Sequence, residues 1–473
     1  MKSTLSKDIL FNKKLLLNLF LMVMVLCGFL VGKSTFLMSF TGEQQLTLGL
    51  LVFAVYLWVA APIPTGASSI LLIALMLVLN LVDNVEGAVA GFLSPALYFI
   101  LIVSILSQAL VKVGIDKVIA QFLIKISKSG PRYIIIGLPI FILILPILLP
   151  SAVARFKMLY PLINSMNQLY GFSEKSIFQK YGIYIIGMMN QNATMVIFTG
   201  GGFPILASQL LNDYNVADLG WLDWFLMVAP PLWIGSLFMV LFVWNFLKIT
   251  MPEEKIVRSN SNEEIELRPR DPLSIKLWVV LLSFLTMIIT WIVTDQEQVP
   301  LLLPPMLLVA FYSIPKIGLV TNKVIREYDW ENFLLLGASF SLGILLSENG
   351  TAEVLADVLI GVIPGDISIV SKVIIIAFIV FLLRFFFIVP SSAVIVIFPI
   401  VMSYSELIGI PPMQLAFLVI LVIGSMMILP IHSTTTYLAY ETGVFSKKDQ
   451  YVIGLVSSVT FMFIAIFAAL YFW

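Results

Sequence analysis

Apolar residues fall in long runs along this chain, set apart by short polar clusters. Eleven runs approach the ~20 residues of helix needed to cross a ~30 Å hydrocarbon layer. They lie near 13–32, 45–61, 64–82, 92–113, 176–211, 223–248, 274–294, 299–320, 330–348, 413–445 and 450–473. Two further apolar stretches, 132–168 and 368–407, each carry a Pro-Ser pair near the middle, Pro150-Ser151 and Pro390-Ser391. The pattern predicts an all-α integral membrane protein with about 11 transmembrane helices plus two hairpins.

Composition agrees. Of 473 residues, 60% are hydrophobic and 11% charged, and the mean hydropathy is +1.04. Soluble domains are roughly 25% charged, so this chain lacks the polar residues to cover a soluble globule. The formal net charge is zero, which gives no general attraction to nucleic acid. Cys27 is the one cysteine, so no internal disulfide forms. The first run follows Lys2, Lys7, Lys13 and Lys14 and lacks a small-residue cleavage site. It reads as a retained anchor, with 1–44 as its segment.

Charge placement sets the expected topology, because Lys and Arg collect in cytoplasmic loops. With the N-terminus inside, eighteen loop residues from Lys112 to Lys448 join the four N-terminal lysines there, making 22 of the 27 basic residues. Predicted outside loops are acidic, with Asp213, Asp218 and Asp223, then Asp295 and Glu297, then Glu348, Glu353 and Asp357. The C-terminus is expected outside, in a multi-pass protein of the cell membrane. Basic residues flank 132–168 on both sides, so this stretch leaves and re-enters the inside. Two full crossings or a re-entrant hairpin both satisfy that, and short halves with Pro at the bend favour the hairpin. By the same reasoning 368–407 returns to the outside.

The chain also repeats itself. Gly114 and Gly350 each open a short amphipathic segment, a Pro-Ser stretch follows each, and Phe198 and Tyr440 each follow an interrupted span. The offsets are 236, 240 and 242 residues. The first copy enters its hairpin from inside and the second from outside, which is an inverted-topology repeat of the kind found in secondary transporters. It divides the chain into a first repeat, 45–248, a charged cytoplasmic linker, 249–273, and a second repeat, 274–473. Polar residues collect at the four expected breaks. Ser151 and Ala152 mark the first tip, and Asn190, Asn192 and Thr194 the first interrupted span. Ser391 and Ser392 mark the second tip, and Ser433, Thr434 and Thr435 the second interrupted span. Half-helix N-termini present N–H groups that suit an anion. Carbonyl, hydroxyl and amide oxygens suit sodium, a hard cation.

This order of hairpin and broken span, twice, resembles the divalent anion:sodium symporter family, which includes bacterial dicarboxylate and citrate carriers. The similarity runs from about residue 45 to the C-terminus. Ala109-Leu110-Val111-Lys112-Val113-Gly114-Ile115 is similar to the family's A-L-x-x-T-G-L. Asp329-Trp330 opens a span, and Leu429-Pro430 with Thr434 and Thr435 is similar to its L-P-x-A-T-P-P-N. The resemblance implies a sodium-coupled secondary carrier for a small anion, a homodimer in lipid, and an elevator-like motion of the hairpin domain. Family tips carry Ser-Asn-Thr, which helps bind carboxylates and sodium. Here they read Ser151-Ala152-Val153 and Pro390-Ser391-Ser392, so the match speaks for fold and carrier function more than for substrate or ion.

Other readings stand beside these. A Ser or Thr in an apolar helix often only bonds the carbonyl four residues back. Arg155 and Arg384 lie near mid-membrane if the hairpins are re-entrant. There an ionisable group is costly and usually functional, as an anion partner or as a fixed cation replacing a lost sodium. If the stretches cross fully, both arginines sit near an interface. His432, the one histidine, lies in the second break and either carries a coupling proton or is structural. Asn349-Gly350-Thr351 matches a glycosylation sequon but falls inside the repeat. No metalloprotease, nucleotide-binding or hydrolase motif is present, so an enzyme is not expected and no cofactor beyond a coupling ion is implied. A proton-coupled carrier, a sodium/proton antiporter and a non-transporting receptor on the same fold remain the alternatives.

Overall fold

The computed structural model describes residues 39–60, 62–127, 130–251, 275–294, 298–361, 367–385, 387, 390–403, 405 and 409–473. The anchor run 13–32, most of the linker 249–273, and Asp295 and Glu297 lie outside these residues. Among the described residues every extended element is a helix, the form in which a chain segment satisfies its own backbone hydrogen bonds in lipid. Among the described residues five helices are long and apolar enough to cross a membrane: Pro95–Lys112, Trp221–Thr250, Ile275–Val293, Trp330–Glu348 and Lys447–Tyr471. The expected runs 176–211, 299–320 and 413–445 are not continuous helices, because turns or extended residues interrupt each of them.

Contacts group the chain into two compact units, each drawing on both halves of the sequence. The first comprises residues up to Leu97, Asp329–Ile388 and Ser392–Val419. In it, helix Trp330–Glu348 packs on helix Thr65–Val78 and on the 3₁₀ turn Ala90–Leu93. A Cβ on Gly91 would collide with the Ser341 amide and the Gly337 carbonyl. Glycine therefore permits this approach, and the Gly91 N–H donates to Ser341 Oγ at 3.0 Å. Helix Trp330–Glu348 ends at a corner where Gly350 has φ +72°. The Asn349 amide donates to Thr47 Oγ1 at 2.7 Å, and its oxygen accepts from Thr351 N at 3.1 Å and Thr351 Oγ1 at 2.6 Å. The sequon-like triplet is thus a packed helix corner.

The second unit comprises Tyr98–Tyr328, Val389–Ser391 and Ile420–Trp473. After Gly114, with φ +89°, comes the amphipathic helix Ile115–Ser127, burying Ile115, Ile119 and Leu123 and exposing Lys117 and Lys125. The first Pro-Ser stretch is helix Pro131–Ile144, a 3₁₀ turn Leu145–Ile147, a non-helical bend at 148–151, and helix Ala152–Leu169. Tyr170 donates its hydroxyl to the Ser127 carbonyl at 2.7 Å, so the stretch returns to the end from which it left. Further bonds tie segments that the basic-residue pattern assigns to one side. Lys112 Nζ donates to Leu319 O at 2.9 Å, Lys180 pairs with Asp449 at 2.7 Å, and Trp473 Nε1 donates to Met227 O at 3.0 Å.

Candidate functional site

The first bend ends at Ser151, whose Oγ caps the next helix by accepting from Ala154 N at 3.2 Å. Ser151 and Ala152 are half-buried. One helical turn further on, Arg155 is completely buried. Its Nη1 donates to the Leu149 carbonyl at 2.5 Å, Nε to Asn190 Oδ1 at 2.7 Å and Nη2 to Thr194 Oγ1 at 2.8 Å. Asn190 Nδ2 returns a bond to the Ala152 carbonyl at 2.9 Å, and Thr194 Oγ1 also donates to Asn190 O at 2.9 Å. Asn190 and Thr194 are four residues apart and so share one helix face. Asn192, two residues on, points elsewhere. It is 1% exposed, and its amide oxygen has no partner among the described residues.

The guanidinium thus lies among three neutral oxygens. Among the described residues none of its partners is a carboxylate. Three of its five N–H donors are occupied. A buried cation without a counter-charge is costly, and the fork geometry of the remaining donors matches a carboxylate or a tetrahedral oxyanion.

The first interrupted span differs from the sequence reading. Asn190–Val196 is helical, continuing helix Ile177–Tyr184 through a π-helical turn at Ile185–Met189. The chain leaves the helix at Ile197, with φ −105° and ψ 128°, and re-forms one at Gly202–Asp213. Asn190 and Thr194 turn their side-chain oxygens to Arg155 from within the helix, and Thr194 donates its hydroxyl proton to the carbonyl four residues back, a bond compatible with helix. The break falls where glycine is needed. A Cβ on Gly200 or Gly201 would run into the Thr194 carbonyl or its methyl group. The run Thr199-Gly200-Gly201-Gly202 was the sequence signal for it.

The second interruption lies closer to expectation. Helix Pro412–Ser425 stops, residues 426–429 are irregular, a 3₁₀ turn occupies Pro430–His432, and helix Thr434–Glu441 follows. Ser433 caps that helix. Its Oγ accepts from Thr436 N at 3.1 Å, donates to Thr436 Oγ1 at 2.7 Å and lies 3.4 Å from Thr435 Oγ1. Thr434 is exposed, whereas Thr435 and Thr436 are buried. The oxygen cluster is therefore Ser433, Thr435 and Thr436, with Thr436 missed in the sequence. His432 Nδ1 accepts from Leu429 N at 3.3 Å, which makes it part of the turn. The two interrupted spans meet at Gly187, where a Cβ would lie 2.5 Å from Ala439 Cβ and 3.4 Å from the Thr435 carbonyl.

At the second tip Ser391 and Ser392 both lie within helix Pro390–Met402. Ser391 is half-buried and Ser392 buried. Arg384 is completely buried at the end of helix Ile369–Arg384 and donates to the Phe387 carbonyl.

A family model described as the sodium:sulfate symporter transmembrane region matches residues 13–473. The chain belongs to the sodium:sulfate symporter family. It is similar to an uncharacterized transporter of Haemophilus influenzae, 22% identical over 92% of this chain and 93% of that protein. It is similar to the inner membrane protein YbhI of Escherichia coli, 25% identical over 86% of each. It is also similar to the citrate/succinate antiporter of Escherichia coli, 23% identical over 80% of this chain and 78% of that protein. The expected resemblance to the divalent anion carriers is borne out. As a member of the sodium:sulfate symporter family the chain is a membrane transporter, and the family consists of carriers, not enzymes.

Proposed function

We propose that this sodium:sulfate symporter family member is a secondary carrier for a small divalent anion, of the size and charge of a dicarboxylate. The observation that carries the reading is Arg155, a fully buried cation held between a hairpin tip and an interrupted helix with no carboxylate partner among the described residues. An anion entering there supplies the missing counter-charge. The name of the citrate/succinate antiporter relative suits an anion of this class. Helix Pro131–Ile144 rises about 21 Å, short of a ~30 Å hydrocarbon core. The other arm, Ala152–Leu169, rises about 27 Å, so it is the short first arm, with the repeat offsets, that supports a re-entrant hairpin and an inverted repeat of about 11 spans. We take the protein to be a homodimer in the cell membrane, with the N-terminus inside and the C-terminus outside.

Sodium is the coupling ion in this reading, and it binds through second-half oxygens, Ser433 and Thr435 with their neighbours. In the first half Arg155 takes up the Asn190 and Thr194 oxygens that sodium would use. The same observation favours a second reading, anion exchange without sodium. Reconstituted vesicles separate the two. Succinate uptake that needs an inward sodium gradient supports symport. Uptake driven by internal citrate and indifferent to sodium supports exchange. Uptake that collapses with the proton gradient points to proton coupling. Failure to move or bind succinate, citrate or sulfate under any gradient leaves the non-transporting receptor.

A further inference from the structure

A helix that stops inside an apolar bundle strands backbone groups that water cannot reach. At each interruption, the long helix that closes that half of the chain supplies a partner. In the first half, the fully buried Trp224 donates Nε1–H to the Met195 carbonyl at 2.9 Å, and Trp221 Nε1 lies 3.4 Å from Thr199 Oγ1. Both tryptophans stand in the first turn of helix Trp221–Thr250. In the second half, Ser458 of helix Lys447–Tyr471 accepts the Met427 N–H at 2.9 Å and donates to the Gly454 carbonyl at 2.7 Å. Gly454 brings that helix onto the break. A Cβ there would collide with the Met427 carbonyl and lie 3.0 Å from Ile428 Cα. The anchors Trp224 and Ser458 are 234 residues apart, and the groups they hold, at Met195 and Met427, are 232 apart. These intervals are 8 and 10 residues short of the 242-residue offset at the interrupted spans, so the two anchors play analogous parts without occupying equivalent positions of the repeat.

We infer that Trp224 and Ser458 are positioning residues that fix the two helix interruptions in the geometry that binds the anion. The chemistry is opposite in the two halves. Trp224 takes up a backbone acceptor at the first interruption, and Ser458 takes up a backbone donor at the second. Neither residue belongs to the oxygen clusters around Arg155 and Ser433. Their functional consequence rests on the carrier reading, but the geometry does not.

The test uses full-length protein in liposomes, comparing Ser458→Ala with Ser458→Thr, which keeps the hydroxyl. Hydrogen exchange of the Met427–Leu429 amides is expected to quicken about 5- to 10-fold in Ser458→Ala and to stay near wild type in Ser458→Thr, as for loss and retention of one buried hydrogen bond. KM for succinate is expected to rise by about the same factor in Ser458→Ala with kcat within about twofold, since a displaced break weakens substrate binding and leaves the transport step unchanged. Trp224→Phe, which keeps the ring and deletes the donor, is expected to raise KM likewise and serves if Ser458→Ala fails to fold. Unchanged exchange in Ser458→Ala overturns the inference. Faster exchange with KM unchanged also overturns it, because the anchor would then hold backbone without positioning the site. If the wild type neither binds nor moves succinate, the carrier reading fails, and the exchange measurement still decides whether Ser458 holds the break.

Discussion

Replacing Arg155 with methionine separates stability from binding. In the folded chain its guanidinium makes three hydrogen bonds, to Leu149 O, Asn190 Oδ1 and Thr194 Oγ1. Bonds from a charged donor are worth ~1.5–3 kcal/mol each. Against them stands the cost of holding an unpaired ion out of water, which is several kcal/mol. Asn190 and Thr194 each keep one further bond, to Ala152 O and Asn190 O. The opposing terms nearly cancel, so Arg155→Met changes stability by about 2 kcal/mol or less. Binding has no such offset. A carboxylate ~4 Å from the guanidinium, at an effective dielectric of ~20, gains ~4 kcal/mol. Its loss weakens anion affinity by roughly 100- to 1,000-fold. Arg155→Lys keeps the charge but cannot span three separated acceptors, so its affinity falls between the two. Radiolabelled succinate and citrate binding to purified protein, alongside thermal unfolding of the same samples, measures both quantities. Affinity within about threefold of wild type in Arg155→Met would show that the buried cation is only structural.

The unpartnered amide oxygen of Asn192 makes it the strongest first-half candidate left for a coupling cation, so Asn192→Ala should cost ~1–3 kcal/mol of coupling, read as a parallel rise in the half-saturating sodium and succinate concentrations. Unchanged values for both would remove Asn192 from the site. Gly187→Leu forces a side chain onto Ala439 where even a Cβ lies at 2.5 Å, and overpacking of this kind costs ~1–3 kcal/mol or more. A lower unfolding temperature and loss of succinate uptake are expected, and wild-type uptake would refute close packing of the two interrupted spans. Cysteines at Asp218 and Ser259 should label with impermeant maleimide from outside and only from inside, respectively, and outside labelling at Ser259 would reverse the assigned orientation.

Much of this protein is written in its one-dimensional pattern. Hydrophobic runs and their basic flanks specify a multi-span membrane chain, because burying an apolar helix in lipid depends on composition and length more than on any partner. The Pro-Ser bend at 148–151 and the glycine corners at Gly114 and Gly350 are local features as well, set by proline's fixed φ and glycine's freedom at positive φ, and each stands where the sequence puts it. The candidate site residues were legible by type. Arg155, Asn190, Thr194 and Ser433 could be singled out, because polar side chains in apolar runs are costly and therefore conspicuous. Tertiary structure decided what they touch. Arg155 stands against Asn190 and Thr194, residues 35 and 39 positions away, with 190–196 helical and the break at 197–201. Thr436 is buried and Thr434 exposed because the capping serine fixes the phase of helix Thr434–Glu441. Such choices depend on which surface the chain meets at close range, and spacing along the sequence does not encode that approach.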